Sequence, residues 1–253
     1  MLLVRESSAA AAPVEVYMIR RNRGMKFLGG FYAFPGGKVD PADGEAAALA
    51  RVRGLAAEEA ARCFTDGAGP APIAYWVTAA RELLEETGVL YACDAAGRAL
   101  DAGDAAAVEA CRREVMDGVP FIEALGRRDW YCDLRALRYL SHFTTPPSSP
   151  IRFTARFFVC PPPLGQTPQL FTEETSEGFW IAPAEAYWRF MDDEMAMAEP
   201  AEYALAYLAQ FGSLAELWAA HADGGARFEG TSHRSDEIHP DWRSHRFPFR
   251  ARG

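Results

Sequence analysis

The chain has 253 residues, of which 49% are hydrophobic, and a formal net charge of −9 at pH 7. It is long enough to bury a large core. No apolar run approaches the roughly eighteen residues of a membrane-spanning helix, so a globular protein outside the membrane is expected. The acidic balance argues against a protein that grips DNA or RNA, because such proteins usually carry a basic face.

The sequence shows no recognisable targeting signal, and its cysteine spacing is typical of reduced thiols. Together these features predict a cytoplasmic protein. The first residues lack the charged start and apolar centre of a signal peptide. The last three residues, Ala251 to Gly253, differ from the Ser-Lys-Leu peroxisomal address. The five cysteines show no C-x-x-C spacing and leave one unpaired, which indicates reduced thiols that serve as packing residues.

Two short strands, residues 2–4 and 14–19, are predicted at the start of the chain. The second strand runs into a basic segment, residues 20–26, in which four of the seven residues are Arg or Lys. Such a segment could meet a pyrophosphate or a 3′-phosphate, or it could be a solvated hairpin turn. Arg21 and Arg23 are therefore candidates for binding an anionic substrate.

A glycine turn follows the aromatic strand at residues 31–34. Pro35, Gly36 and Gly37 stop the strand, and Lys38 comes next. Two glycines permit close approach of the backbone to a ligand and leave carbonyl groups free to face a metal ion. Lys38 joins the candidates for binding an anionic substrate.

The stretch from Ile73 to Tyr91 predicts an amphipathic helix with an acidic face. Glu82, Glu85 and Glu86 fall on one side of it, and Gly88 ends it. The opposite, core-facing side is apolar: Trp76, Val77, Ala80, Leu83 and Leu84. Three neighbouring carboxylates repel one another. They form either a solvated acidic face or a site for a hard divalent cation.

The glycine turn and this helix together resemble the nudix box, G-x5-E-x7-R-E-U-x-E-E-x-G-U, in which U is aliphatic. Arg81 to Val89 matches every fixed position of the second half. Counting back from Arg81 places Ile73 where the box has Glu, whereas counting from Gly37 places Asp43 there. Residues 44–72 are therefore interpreted as a helical insertion inside the motif, with helices at 45–52 and 55–63. Such an insertion is a feature of the nudix branch that contains the coenzyme A diphosphatases.

Beyond the acidic helix, residues 95–130 are predicted to form a second helical insertion, with helices at 104–116 and 121–127. Strands follow at 137–143 and 151–160, and the second strand carries Arg152 and Arg156 on one face. These arginines could bind an anionic substrate or pair with carboxylates. The final elements are three helices and a tail: residues 183–195, 200–210, 214–221 and 223–253. Residues 1–222 are predicted to be the nudix domain, and the tail to be an appendage or linker.

An acidic loop precedes Trp180, as it often does in nudix domains. Glu173, Glu174 and Glu177 are each a candidate for the carboxylate that activates water, and Glu177 is favoured because it lies three residues before the tryptophan. For any one of them taken alone, a solvated loop residue is the more common case.

The resemblance implies an α/β fold, the nudix α/β/α sandwich, with a mixed central sheet and extra helical insertions. It also implies Mg²⁺ or Mn²⁺ as cofactor. The implied ligands are Glu82 and Glu86, with Glu85 sharing a cation or orienting water and the carbonyl group of Gly37 completing one shell. Arg81 would steady Glu85 or another of the helix carboxylates.

The implied activity is hydrolysis of a phosphoanhydride in a nucleoside diphosphate linked to another moiety. Coenzyme A or an acyl-CoA is favoured, giving 3′,5′-ADP and 4′-phosphopantetheine or its acyl form. ADP-ribose, NAD(H) and dinucleoside polyphosphates are alternatives. A catalytically silent nucleotide-binding module is the alternative from another class. The partners expected are a small nucleotide and, from family habit, a second copy of the chain, with no nucleic acid and no membrane.

Overall fold

The computed structural model describes residues 1–7, 12–26, 28–64, 70–145, 154–171, 175–222 and 228–231. The predicted site residues Arg152, Glu173 and Glu174 lie outside these ranges. No helix of the described residues combines the length and the apolar character needed to cross a bilayer.

Strands and helices alternate irregularly along the described chain. The strands are β1 (Leu2–Glu6), β2 (Val14–Arg21), β3 (Tyr32–Ala33), β4 (Val52–Arg53), β5 (Ala92–Cys93), β6 (Tyr131–Asp133), β7 (Arg138–Thr144), β8 (Thr154–Cys160), β9 (Thr175–Ile181) and β10 (Phe228–Thr231). The α-helices are α1 (Ala46–Leu49), α2 (Ala57–Arg62), α3 (Pro72–Thr87), α4 (Ala105–Met116), α5 (Phe121–Gly126), α6 (Pro183–Met191), α7 (Glu199–Leu208) and α8 (Leu214–Ala220). Short 3-10 turns cover Pro41–Gly44 and Ala102–Asp104.

The chain divides into two compact units. The first comprises Met1 and residues 35–139 and 158–175, and it contains the acidic helix α3 and both predicted insertions. A three-stranded sheet in this unit has the order β4-β6-β5. In it, β4 runs parallel to β6 and β5 runs antiparallel to β6. Because β4 belongs to the first insertion, residues 44–72, this pairing joins that insertion to β6, the strand that follows the second insertion, residues 95–130.

Aromatic and aliphatic side chains fill the core of the first unit. Trp76 contacts Phe158 and Tyr139, with ring centroids 4.8 and 5.9 Å apart. Phe64, at the end of the described part of the first insertion, stacks on Trp76 at 5.2 Å. The side of α3 predicted to face the core is buried at every position that the pattern named: Trp76, Val77, Ala80, Leu83 and Leu84.

The second unit comprises residues 2–34, 140–157 and 176–253, and it holds most of a seven-stranded mixed sheet. The strand order is β10-β7-β8-β1-β2-β3, and β9 also pairs with β2. The pairings β1–β2 and β2–β3 are antiparallel, whereas β10 runs parallel to β7. Helix α6 packs against α7 and contacts β2, and α8 contacts β1. The mixed sheet with helices against it agrees with the predicted α/β class.

Several predicted boundaries need correction. The helix predicted at 45–52 ends at Leu49, and Val52 starts a strand instead. The helix predicted at 183–195 ends at Met191. Residues 228–231, within the predicted tail, form β10 of the large sheet. The short strands β5 and β6 had no counterpart in the prediction.

Candidate functional site

The acidic helix α3 ends as its sequence predicts. Gly88 adopts the left-handed conformation, with φ of 71°, and its N–H donates to Leu84 O at 2.9 Å. The three glutamates are not a freely solvated face, since the side chains of Glu82 and Glu85 are only 12% and 21% exposed. Glu86 is 9% exposed. Carboxylates that are this far removed from water need partners in the protein.

The glycine turn contacts two of these glutamates, Glu82 and Glu86. The Gly36 N–H donates to Glu86 Oε2 at 2.9 Å. Gly37 lies against the Glu82 carboxylate so closely that a Cβ atom at this position would overlap the carboxylate atoms. Only glycine permits this approach. The structure therefore brings together Gly37, Glu82 and Glu86, which the sequence analysis selected from two separated segments.

Arg81 joins the two halves of the motif. Its Nη1 lies 2.9 Å from Glu82 Oε1 and 2.9 Å from Glu85 Oε1, and its Nη2 donates to Lys38 O at 2.8 Å. Its Nε donates to Asp43 Oδ2 at 3.0 Å. Burial by itself would lower the pKa of Arg81, but the carboxylates of Glu82, Asp43 and Glu85 outweigh it and raise that pKa. The guanidinium is thus a fixed positive centre.

Asp43 is the buried acid of the first half of the motif. It is 2% exposed, and its Oδ2 accepts from Thr78 Oγ1 at 2.8 Å as well as from Arg81. Its carboxylate also accepts from the Asp40 N–H at 3.4 Å, which completes a capping box with the Asp40 side chain at the start of the 3-10 turn. The first insertion begins at Gly44, the last residue of this turn, and the turn packs against α3. Asp43 therefore occupies the acidic position that Ile73, itself 3% exposed in the core, cannot fill.

Glu82 has a pKa raised above its ordinary value of 4.5 because burial disfavours its charge, with Glu85 and Asp43 adding repulsion and Arg81 opposing it. Among the described residues, no three His, Cys, Asp or Glu side chains already converge as a metal-ligand group. The glutamates face Arg81 and the Gly36 N–H instead. The donor set nonetheless fits a hard cation, since it offers carboxylate oxygens beside a glycine backbone that permits close approach. Three carboxylates share the Arg81 guanidinium here, and Glu86 adds a fourth beside them, so a bound cation would relieve the repulsion.

The remaining described candidates lie in the second unit, except Lys38. Lys38 has an exposed side chain in the first unit, and its carbonyl group serves Arg81. Glu177 is 47% exposed and its Oε1 accepts from Arg20 Nη1 at 2.7 Å. Arg21 is partly buried, and its Nε has no hydrogen-bond partner among the described residues. Arg23 is exposed, and Arg156 is partly buried on β8. Their predicted roles toward a substrate stay predictions.

Sequence reasoning missed two residues that hold the site. Thr78 supports Asp43 from within α3, and Arg112 of α4 donates from Nε to the carbonyl oxygen of Glu85 at 3.0 Å. A threonine one turn before Arg81 is a weak signal on its own. Arg112 carries none, since it stands in an ordinary helical stretch between Cys111 and Arg113.

A family model and a curated protein are similar to this chain. A family model described as the NUDT19 Nudix domain matches residues 3–208. The acyl-coenzyme A diphosphatase NUDT19 of Gallus gallus is 27% identical over 247 residues, which cover 80% of this chain and 63% of that protein. The chain thus spans less than two thirds of this relative's length.

A solved structure is also similar to this chain. The crystal structure of a NUDIX hydrolase from Alicyclobacillus acidocaldarius aligns with a TM-score of 0.66 and 28% identity, covering 86% of this chain and 92% of that one. This likeness confirms the predicted α/β fold of nudix type.

Proposed function

The chain belongs to the NUDT19 Nudix domain family, and from that premise we propose that it is a divalent-metal-dependent pyrophosphohydrolase. Its substrate is a nucleoside diphosphate linked to another moiety. The observation that carries the proposal is the assembly of the split motif. Gly36 and Gly37 lie against Glu86 and Glu82, and Arg81 binds the acid of the first half and two glutamates of the second.

Each residue of this cluster has a distinct role in the proposal. Glu82 and Glu86 would hold the cation, Glu85 would share it or orient water, and the carbonyl group of Gly37 would be a further ligand. Arg81 orients Glu82 and Glu85, and Asp43 and Thr78 hold Arg81. When bound, Mg²⁺ or Mn²⁺ neutralises charge on the phosphate oxygens and favours attack by water.

Coenzyme A and its acyl esters are the proposed substrates. The support is the printed activity of the avian relative, an acyl-coenzyme A diphosphatase. Cleavage of the phosphoanhydride would release 3′,5′-ADP and 4′-phosphopantetheine or its acyl form. Lys and Arg side chains suit phosphate recognition. The residues proposed to bind the anionic groups of such a substrate are therefore Lys38, Arg21, Arg23, Arg152 and Arg156. Glu177 is proposed as the base that activates water, with Glu173 and Glu174 as alternatives.

A substrate panel read out by product mass tests the proposal. Wild type is incubated with Mg²⁺ or Mn²⁺ and, separately, coenzyme A, an acyl-CoA, ADP-ribose, NADH and a dinucleoside polyphosphate. We expect the fastest turnover with coenzyme A or the acyl-CoA, and products that locate the broken bond. Faster cleavage of ADP-ribose would redirect the substrate assignment and keep the reaction class.

Glu86→Gln tests the site within the same assay. The amide keeps the size of the side chain but removes the charge that would hold the cation. We expect kcat to fall by more than about 100-fold, beyond the usual effect of an outer-shell change. Glu58→Gln is the matched control, because Glu58 is an exposed glutamate of α2. A wild type that binds nucleotides and turns over none of them would identify the silent binding module instead.

A further inference from the structure

Arg112 is a buried cation without a close carboxylate partner among its described ion pairs. It lies on α4 and is 6% exposed. Its one described ion pair joins Nη1 to Glu109 Oε1 at 3.7 Å, and the Glu109 side chain is 39% exposed. Burial lowers the pKa of Arg112, while the charges of Glu109 and Glu85 oppose that effect. Burying a guanidinium is unfavourable unless other groups stabilise its charge.

The contacts of Arg112 point to the end of the acidic helix. The Nε of Arg112 donates to Glu85 O at 3.0 Å, and this carbonyl belongs to the last turn of α3. The last carbonyls of a helix have no partner within it and carry partial negative charge, which a cation stabilises. The guanidinium carbon also lies 3.9 Å from the centroid of the Phe171 ring. Stacking on an aromatic face offsets part of the lost hydration.

The Phe171 ring contacts both the Arg112 guanidinium and Gly88 at the end of α3. A Cβ atom at Gly88 would come within 2.6 Å of Phe171 Cε2, so the ring covers the glycine. Two residues earlier, the Gln169 N–H donates to Thr87 O at 2.9 Å. The last turn of α3 is therefore held from outside at both Glu85 and Thr87.

Glu85 is consequently fixed at two points. Arg112 binds its carbonyl oxygen, while Arg81 binds its carboxylate at 2.9 Å. Glu86 follows directly, and its carboxylate accepts from Gly36. A shift of this turn would move both carboxylates relative to the glycine turn, because both side chains extend from it and Glu86 is bound to Gly36 outside α3.

We propose that Arg112 is a positioning residue of the active site: it holds the last turn of α3 so that Glu85 and Glu86 keep the geometry needed to bind a divalent cation. This inference rests on the proposed metal-dependent function. Arginine is required because one side chain must donate from Nε and place its guanidinium carbon over the Phe171 ring at the same time. Lysine keeps the charge but lacks the planar fork.

The direct test is the dissociation constant for Mn²⁺, measured on the free protein by the electron paramagnetic resonance signal of unbound Mn²⁺. We expect Arg112→Met to weaken Mn²⁺ binding by at least about tenfold, as for other groups that orient metal ligands. Arg112→Lys should also weaken it. Arg113→Met is the matched control on the same helix, since its side chain is 68% exposed, and it should bind as wild type does.

Phe171 provides a second variant that does not alter the buried charge. Phe171→Leu retains apolar volume and loses the stack, so it should weaken Mn²⁺ binding several-fold, whereas Phe171→Tyr should not. Phe171 is 38% exposed, so these variants are expected to fold. If Arg112→Met does not fold, the two Phe171 variants test whether this contact is needed for Mn²⁺ binding.

The outcomes separate this inference from the proposed function. A folded Arg112→Met that binds Mn²⁺ as wild type does, even with lower thermal stability, would show that Arg112 is merely structural. So would a Phe171→Leu with unchanged affinity. A wild type that binds Mn²⁺ but hydrolyses no diphosphate would overturn the proposed hydrolase function. The Mn²⁺ affinities of the variants would still show whether Arg112 positions the metal ligands. A wild type without measurable Mn²⁺ affinity would overturn both.

Discussion

At the scale of single residues, the site depends on the imbalance of charge around Arg81. One guanidinium serves the carboxylates of Asp43, Glu82 and Glu85, and Glu86 is held by a backbone N–H instead. Arg81 therefore cannot neutralise the cluster. This residual negative charge, in a partly buried place, is the physical basis of the cation binding proposed for the cluster.

Replacing Asp43 with Ala should destabilise the protein. The substitution leaves Arg81 and Thr78 without their buried acceptor, and breaking a buried ion pair from one side costs about 3 kcal/mol or more. Urea denaturation measures the free energy of unfolding. Asp117→Ala, which removes an exposed aspartate, should change it by less than about 0.5 kcal/mol. An equally small effect at Asp43 would contradict the role given to it.

The buried thiols should be inert in the folded protein. None of the five cysteines forms a disulfide, and burial raises the pKa of Cys111 to about 11 and of Cys160 to about 12. At pH 8 about one in a thousand Cys111 thiols would be ionised, and the thiolate is the reactive form. A thiol reagent should therefore modify only Cys63, which is partly exposed, and all five residues after unfolding.

These shifts also set a dependence of stability on pH. Because the folded-state pKa values lie above the usual thiol value of 9.0, the folded protein holds these protons longer than the unfolded chain. Their contribution to stability is complete below pH about 9 and is lost as pH rises from there toward 11 and 12. Rapid modification of Cys111 in the native state at pH 8 would contradict the burial described for it.

At the scale of elements, periodicity predicted the acidic helix well and the first insertion poorly. The core side of α3 and its end at Gly88 follow from a 3.6-residue pattern and a glycine. Val52 and Arg53 stand in an Ala-rich stretch typical of a helix, but they pair with Cys132 and Asp133. A pairing partner that distant in sequence overrides local propensity and leaves no local signal.

The same limit applies to the site. The motif spacing identified Asp43, Arg81 and the three glutamates, because a helix and a short turn place such residues by spacing alone. Thr78 and Arg112 could not be found, since their roles depend on which side chain they meet after folding. Glu177 was chosen for its distance from Trp180, and the structure gives it Arg20 as partner, a residue with no predicted role of its own.

Phe64 should anchor the first insertion. Its ring lies 5.2 Å from Trp76, 5.4 Å from Tyr75 and 5.0 Å from Tyr139. Removing it by Phe64→Ala should cost about 2 kcal/mol, since several aromatic contacts and some buried area are lost. We expect faster proteolysis within residues 44–72. Arg62→Ala, an exposed change in α2, is the control. Unchanged proteolysis and stability in Phe64→Ala would mean that the insertion is held elsewhere.

At the scale of the whole molecule, an acidic protein is proposed to act on an acidic substrate. The net charge of −9 does not favour long-range attraction of a diphosphate. A divalent cation held by the cluster, as proposed, would place positive charge where the phosphates must come. The proposed function therefore depends on one property, the binding of a cation between the glycine turn and the acidic helix.

The most direct test of that property is Mn²⁺ binding to Gly37→Ala. The added Cβ would overlap the Glu82 carboxylate and force it away, without requiring an unusual backbone conformation. We expect at least about tenfold weaker Mn²⁺ binding, as for other disturbances of ligand orientation, with the fold retained. Gly24→Ala, whose Cβ meets only Asn22 Oδ1 at 3.7 Å, should bind as wild type does. A folded Gly37→Ala with wild-type Mn²⁺ affinity would contradict the account.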